Sequence, residues 1–329
     1  MIPKTFHRAL RAWFRKCGRD LPWRRTRDPY AILVSEFMLQ QTTVAAVIPY
    51  FERWMREFPD VGSLARADEQ AVLGQWQGLG YYSRGRNLLR AARELEEKFG
   101  GAIPRDPRAL RRLPGIGPYT AAAVAAFAFD ECVPVLDANI LRVVARLADF
   151  QKPVTTAAGK LFLERAARRL LPDSGGREHS SALMDLGATV CRAGAPDCAA
   201  CPVRRFCLAK VPENIPVKPA KKSLIHERDV RGFATRGGMV FLTPSAGSRW
   251  RGLWLLPPAQ PGAKPLLEAT FAVTRHRIHM EVVRVRASNA WTPFPLANLP
   301  PMPSPHRKAL ERLREMSGEL SDPCYGTWP

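Results

Sequence analysis

From residue 5 to about residue 208 the apolar side chains recur at helical spacing almost without a break, and a single period sustained that long leaves little room for a sheet. Pro and Gly punctuate the run at Leu21-Pro22, Gly100-Gly101, Pro114-Gly115 and Pro172 to Gly176. Between these breaks PYAILVSEFMLQQTTVAAVIPYF, RGRNLLRAARELEEKF, PYTAAAVAAFAF and ANILRVVARLADF each read as one long helix. This part of the chain is expected to be all-α. The pattern then changes. VPENIPVKPAKK, from Val211 to Lys222, sets Pro at short intervals among clustered Lys and reads as an extended, exposed linker. Beyond it come short β-type runs, GGMVFLTP, GLWLLPP and HMEVVRVRAS, and a last helix near PSPHRKALERLREM. The expected organisation is a helical domain over 1–210, a linker over 211–226 and a small α+β domain over 227–329. A chain of 329 residues is long enough to give each domain its own core.

Fifty Lys and Arg against 30 Asp and Glu give a net charge of +20, spread along the chain. Such a field favours a polyanionic partner, although a generally basic protein has the same balance. No apolar run of roughly 18 residues occurs, and the N-terminus reads as an amphipathic helix rather than a signal peptide. A cytoplasmic, nucleoid-associated monomer with no membrane contact is expected.

Four of the seven cysteines crowd into Cys191-x6-Cys198-x2-Cys201-x5-Cys207. Clustered thiols in a reducing compartment point to metal, and four sulfurs suit zinc or an iron-sulfur cluster. Zinc ribbons usually carry two Cys-x2-Cys pairs, and here there is one. Cys17, Cys132 and Cys324 are assigned to packing.

The segment Leu113-Pro114-Gly115-Ile116-Gly117-Pro118-Tyr119-Thr120 lies between a short helix, PRALRR, and an Ala-rich one. A glycine turn leading into a helix start can hold a phosphate through backbone N–H groups without reading sequence. The plainer alternative is an ordinary turn. Glu36 sits among apolar neighbours in AILVSEFMLQQTT. If buried, its carboxyl would stay protonated near neutral pH and could act as a general acid; a lone Glu more commonly faces solvent. Asp137 precedes the apolar run of NILRVVARL and is placed to cap that helix. Were it to face Glu36, it could also stabilise positive charge developing on a sugar, as paired carboxyls do in glycosidases.

Together, LPWRRTRDPYAILVSEFMLQQTTV, QGLGYYSRGRNL, LPGIGPYTAAAV, VLDANILRVVARL, MDLGATVC and the four-cysteine loop closely resemble the MutY family of adenine DNA glycosylases, over roughly residues 5 to 208. The resemblance implies a helix-hairpin-helix glycosylase fold and a 4Fe-4S cluster on Cys191, Cys198, Cys201 and Cys207. It implies excision, during base excision repair, of adenine mispaired with 8-oxoguanine or guanine in double-stranded DNA. By motif position Glu36 would protonate the base, Asp137 would stabilise the oxocarbenium-like sugar, and Tyr119 and Asn139 would complete the catalytic group. Trp23, Arg24, Leu39 and Ser181 would line the base pocket. Gln41, Thr42 and Tyr81, with Gly115, Ile116 and Gly117 of the hairpin, would contact DNA. Related lyases keep a lysine where this chain has Tyr119, and tyrosine cannot form a Schiff base; a monofunctional enzyme is implied.

The C-terminal part resembles, more faintly, the Nudix-like domain of that family, through GLWLLPP, TRHRIHMEV and SPHRKAL. No intact Nudix catalytic box is present, and RELEEKFG is a partial match that reads as a solvated helix face. Two positions depart from the family pattern. The loop expected against 8-oxoguanine reads Val273-Thr274-Arg275, followed by His276, and Ser181 stands where relatives place Gln or Glu. Thr274, Arg275 and His276 remain the candidates for sensing the opposite base. Another mismatch specificity, such as thymine from G:T, stays open.

Overall fold

The computed structural model describes residues 4–217, 223–247 and 249–319; Cys324 lies outside them. The contacts divide the chain into two compact units, Met1–Ala67 with Asn87–Ala220, and Asp68–Arg86 with Lys221–Pro329.

In the first unit α1 (Lys4–Cys17) buries Phe6 and Leu10 and leaves its charged side outward. Helix α2 (Pro29–Leu39) begins where Asp28 accepts hydrogen bonds from the Tyr30 and Ala31 N–H groups, with Pro29 at the first position. Every residue from Tyr30 to Met38 is buried. A helix apolar on all sides belongs in the centre of a bundle. The sequence predicts one helix across 29–51, but the chain breaks at Gln40–Thr43 and resumes as α3 (Val44–Glu57). The QQTT run offers no apolar side chain to bury, and Gln41 adopts a left-handed conformation at φ 59°.

Helix α4 (Val61–Arg66) follows, and α5 (Glu69–Trp76) belongs to the second unit. Helix α6 (Ser83–Phe99) carries RELEEKFG at its end, with Leu95 buried and Glu96, Glu97 and Lys98 exposed, a solvated face as predicted. The short α7 (Pro107–Leu110) and α8 (Pro118–Phe129) flank the glycine hairpin. The alanines of α8 let it pack against α2. Helices α9 (Ala138–Leu147), α10 (Ala157–Arg169) and α11 (Gly176–Asp185) complete the bundle, and α11 runs on into a π turn over Leu186–Val190. Cys17 is exposed at the end of α1, not packed as expected. The supposed linker departs as well: Ile215 is 3% exposed, and Arg146 Nε donates to its carbonyl at 2.9 Å.

The second unit joins α5 and the loop after it to two sheets and α12 (Ser304–Glu319). Its strands are β1 (Ile225–Phe233), β2 (Thr235–Arg236), β3 (Met239–Pro244), β4 (Trp254–Leu255), β5 (Leu267–Val273), β6 (His276–Arg284) and β7 (Thr292–Pro295). One sheet is ordered β1-β6-β5, with β1 parallel and β5 antiparallel to β6; in the other, β3 pairs with β2, β4 and β7. The core holds Leu256, Met280, Val282, Met302 and Leu310. Tyr82 Oη donates to the Met302 carbonyl at 3.0 Å, tying the 68–86 segment into this unit. Strand β1 starts inside the stretch read as linker; its sequence, IHERDVRGF, carries too many charges to stand out as a strand.

Candidate active site

The broken helix, the hairpin and the start of α9 enclose a cavity of about 710 Å³ in the first unit. Glu36 lines it and is 3% exposed, because α2 has no solvent-facing side to offer. Burial pushes its carboxyl up to about 7; a hydrogen bond with Tyr119 opposes the shift, Asp137 adds to it and Arg24 opposes it. One carboxyl oxygen, Oε2, has no partner among the described residues. Burial, then the nearby Glu36 and Asp137, raise the Tyr119 phenol well above its ordinary value, so it stays a hydroxyl.

Asp137 caps α9, accepting from Ile140 N at 2.6 Å, and its other oxygen accepts from Asn139 Nδ2 at 2.9 Å. The cap fixes the carboxylate at the cavity wall, so the structural and chemical readings of Asp137 are compatible. Asn139, Trp23, Arg24, Leu39 and Ser181 line the same cavity. Here the residues predicted for catalysis and for the base pocket, scattered from 23 to 181, come together.

Sequence reasoning missed Asp185. This residue is 0% exposed and takes both Arg19 and Arg24: Arg24 Nη1 and Nη2 donate at 2.8 and 2.9 Å, Arg19 Nε and Nη2 at 2.8 and 2.6 Å, and Arg19 N at 2.8 Å. Burial alone would raise the Asp185 carboxyl, yet the two guanidinium groups and the Arg19 N–H hold it below the ordinary range. Asp185 thereby fixes Arg24 at the cavity. A lone Asp inside MDLGA gave no sign of a partner so far away in sequence.

Gln41, Thr42, Gly115 and Gly117 also reach the cavity. Gly115 stands at φ 74°, and a side chain there would meet Asn87 Cβ at 2.6 Å, so glycine is required. Ile116 has another part: its side chain is buried and its N–H donates to Leu113 O at 3.2 Å, so it pins the hairpin. In the second unit Tyr81 is 43% exposed at φ 46°. Thr274 and Arg275 form the exposed tip of the β5–β6 hairpin, with Thr274 at φ 54°, and His276 Nδ1 lies 2.5 Å from Glu227. Positive φ is costly for residues other than glycine and collects at functional sites. Of the five described residues other than glycine that show it, three are Gln41, Tyr81 and Thr274.

The four cysteines gather beside α9. Burial, then the charges of Cys191, Cys207 and Cys198, push the Cys201 thiol up to about 11 against a hydrogen bond from Val203 N–H. Among the described residues, no three or more His, Cys, Asp or Glu are grouped to hold a single metal ion. Arg146, buried, donates to Cys191 Sγ at 3.2 Å and to the Arg192 carbonyl at 2.8 Å. Arg142 donates to Cys191 O at 2.8 Å, Gly187 O at 2.7 Å and Asn139 Oδ1 at 2.9 Å. A hydrogen-bonded path therefore joins the cysteine loop to Asp137 through Asn139. Gly187 permits it: a Cβ there would stand 2.7 Å from Asn139 Cβ.

Residues 34–165 match the HhH-GPD superfamily base excision DNA repair protein model. An adenine DNA glycosylase of Mycolicibacterium smegmatis is 38% identical over 254 residues, covering 76% of this chain and 86% of the relative. The chain belongs to the adenine DNA glycosylase family.

Human and rat adenine DNA glycosylases are 37% and 42% identical over 78% and 62% of the chain. This family member spans only 46% and 42% of their lengths. A solved thermostable thymine-DNA glycosylase superposes with a TM-score of 0.57 at 29% identity, over 62% of this chain and 94% of that one. A non-covalent endonuclease III–DNA complex superposes at 0.53 and 23% identity, over 63% and 96%, a likeness of fold. The helical glycosylase fold is thus shared.

Proposed function

We propose that the chain hydrolyses the N-glycosidic bond of adenine mispaired in double-stranded DNA, opposite 8-oxoguanine or guanine, leaving free adenine and an abasic site. The observation that carries this reading is the buried, proton-holding Glu36 carboxyl sharing one cavity with the Asp137 carboxylate. A base leaves a sugar readily only when a proton neutralises its departing electrons, and an acid titrating at about 7 can supply it at physiological pH. Asp137, held at the cavity wall by the Ile140 N–H and the Asn139 amide, would stabilise positive charge developing on the sugar. The base must leave the duplex to enter a cavity of this kind. Gln41 and Tyr81, each held at strained backbone angles, suit the work of filling the stack, and Trp23, Arg24, Leu39 and Ser181 suit the walls of the base pocket.

Cys191, Cys198, Cys201 and Cys207 would hold a 4Fe-4S cluster. Four thiols close enough to feel one another's charge suit a cationic centre. Around one zinc, thiolate sulfurs crowd to about 3.8 Å, whereas a cluster lets each bind its own iron at wider spacing. When bound, the cluster would supply structural bonding; this chain's part is to hold the loop through Arg142 and Arg146. The α+β unit is read as a Nudix-like domain that senses the opposite base through Thr274, Arg275 and His276.

The test is a panel of duplexes carrying A opposite 8-oxoguanine, A opposite G and T opposite G. Adenine release from the first two supports the reading; release of thymine instead would move the chain toward the specificity named for the thymine-DNA glycosylase.

A further inference from the structure

The outer side of α1 carries Lys4, Arg8, Arg11 and Arg15, spaced four, three and four residues apart. Side chains at those spacings are neighbours on a helix, so four like charges repel there, and Lys4 stands at the helix start, where the backbone dipole disfavours a cation. The first turn contains no acidic residue. Glu178 answers part of the stripe, pairing with Arg15 at 2.8 Å and Arg11 at 3.5 Å. Lys4 and Arg8 have no ion pair among the described residues. Arg15 and Lys16 suit the last turn of the helix, so the local conflict is confined to Lys4 and Arg8 at its start.

The stripe forms one wall of a groove of about 500 Å³. The end of α10 and the loop after it form the other wall, with Arg169, Pro172 and Ser174; Arg11 spans the two by donating to the Ser174 carbonyl. Asp173 is the single acid lining it, and Arg169 has no ion pair among the described residues. None of the residues lining the groove lines the base cavity. A smaller hollow lies beside the base cavity in the same unit. It shares Arg24, Arg177 and Ser181 with the cavity, adds Arg27, and contains Glu178, the partner of Arg11 and Arg15. The link from this hollow to the α1 stripe is the acid Glu178, and Asp130 is the hollow's other acid, so the groove's unpaired cations are set apart from those at the base cavity.

We propose that this groove is a second phosphodiester site, holding the DNA backbone away from the base being excised, with Lys4, Arg8 and Arg169 meeting phosphate oxygens. The proposal rests on the reading of the chain as a DNA enzyme. Guanidinium groups match phosphate bidentately, and cations with no carboxylate partner can exchange counterions for phosphate without first breaking a salt bridge. A basic concavity of about 500 Å³ has room for a phosphate with its flanking sugars.

The test uses the full chain with Arg8→Gln/Arg169→Gln and Arg8→Glu/Arg169→Glu, measuring affinity for a long undamaged duplex across a salt series. The slope of log K against log salt is expected to become shallower by about 0.9 per lost contact, so by about 1.8 for the Gln pair, with larger loss of affinity for the Glu pair. Base release at saturating DNA should stay at the wild-type rate, because neither residue touches the base cavity. Unchanged slopes with both pairs would overturn the proposal. So would inorganic phosphate binding that the variants lose while their duplex slopes stay the same, which would make the groove a site for free phosphate. If the Glu pair does not fold, the Gln pair, checked for unchanged melting, decides. A wild-type chain that binds duplex with the steeper slope yet releases no base would sink the excision reading and leave the groove standing.

Discussion

Glu36 can hold a proton because α2 gives it no water. Ionisation of a carboxyl in such a place costs folding free energy, and the sign follows from its raised value. The folded chain keeps the proton up to about pH 7, the unfolded chain loses it near 4.5, so stability present below 4.5 is lost as pH rises through 7. The cost is on the order of 3 kcal/mol. Glu36→Gln removes the titration: its melting temperature should vary less with pH than that of the wild type between those limits, as thermal melts across pH would show. On the proposed mechanism base release depends on the acid form, and should fall about tenfold per pH unit above 7 in single-turnover assays. Thr274 also costs stability. A β-branched residue at φ 54° costs roughly 1–2 kcal/mol, so Thr274→Gly should stabilise the chain by up to that amount in denaturant titrations. If the tip senses the opposite base, the same change should narrow the rate difference between A opposite 8-oxoguanine and A opposite G.

The elements show which parts of this architecture can be read from the sequence and which cannot. Helices α8 and α9 were legible because each has a local start signal, Pro118 after Gly117 and the Asp137 cap, followed by a sustained apolar period. The break at Gln40–Thr43 was not: Phe37 and Val44, seven residues apart, keep helical spacing across it, and the left-handed Gln41 reveals the interruption. Strand β1 was hidden by its charges, since a parallel partner, β6, supplies the pairing that its own composition does not advertise. Glu36 and Asp137 were legible as types, but their meeting depends on α2 packing against α8, a contact far apart in sequence. The clamp of Asp185 on Arg19 and Arg24 bridges more than 160 residues and left no local trace. At this scale Arg146 is the element that binds α9 to the cysteine loop and to Ile215. Arg146→Leu leaves the Ile215 and Arg192 carbonyls without this donor, and should cost about 3 kcal/mol or more in chemical unfolding. Gly187→Ala should impair base release by pushing against Asn139, with a smaller effect on duplex affinity.

Over the whole molecule, a net charge of +20 favours polyanionic ligands, so on the proposed reading specificity has to come from the cavity. Duplex affinity should therefore fall steeply and linearly on a log–log plot as salt rises, whether or not the duplex carries a mispair. A flat salt response would mean that the excess charge is only a solvated surface. The cavity should add an increment for the mispaired base that salt affects much less, because a desolvated base in an apolar pocket exchanges no counterions. On the proposed reading, charge governs encounter and the buried carboxyl governs chemistry.

The most direct measurement of that division is single-turnover release of adenine from a duplex carrying A opposite 8-oxoguanine, by the wild type and by Glu36→Gln, with duplex affinity measured alongside. The account predicts prompt release by the wild type, loss of about 10²–10⁴-fold in the variant, and nearly unchanged affinity. Release by Glu36→Gln at close to the wild-type rate would contradict it.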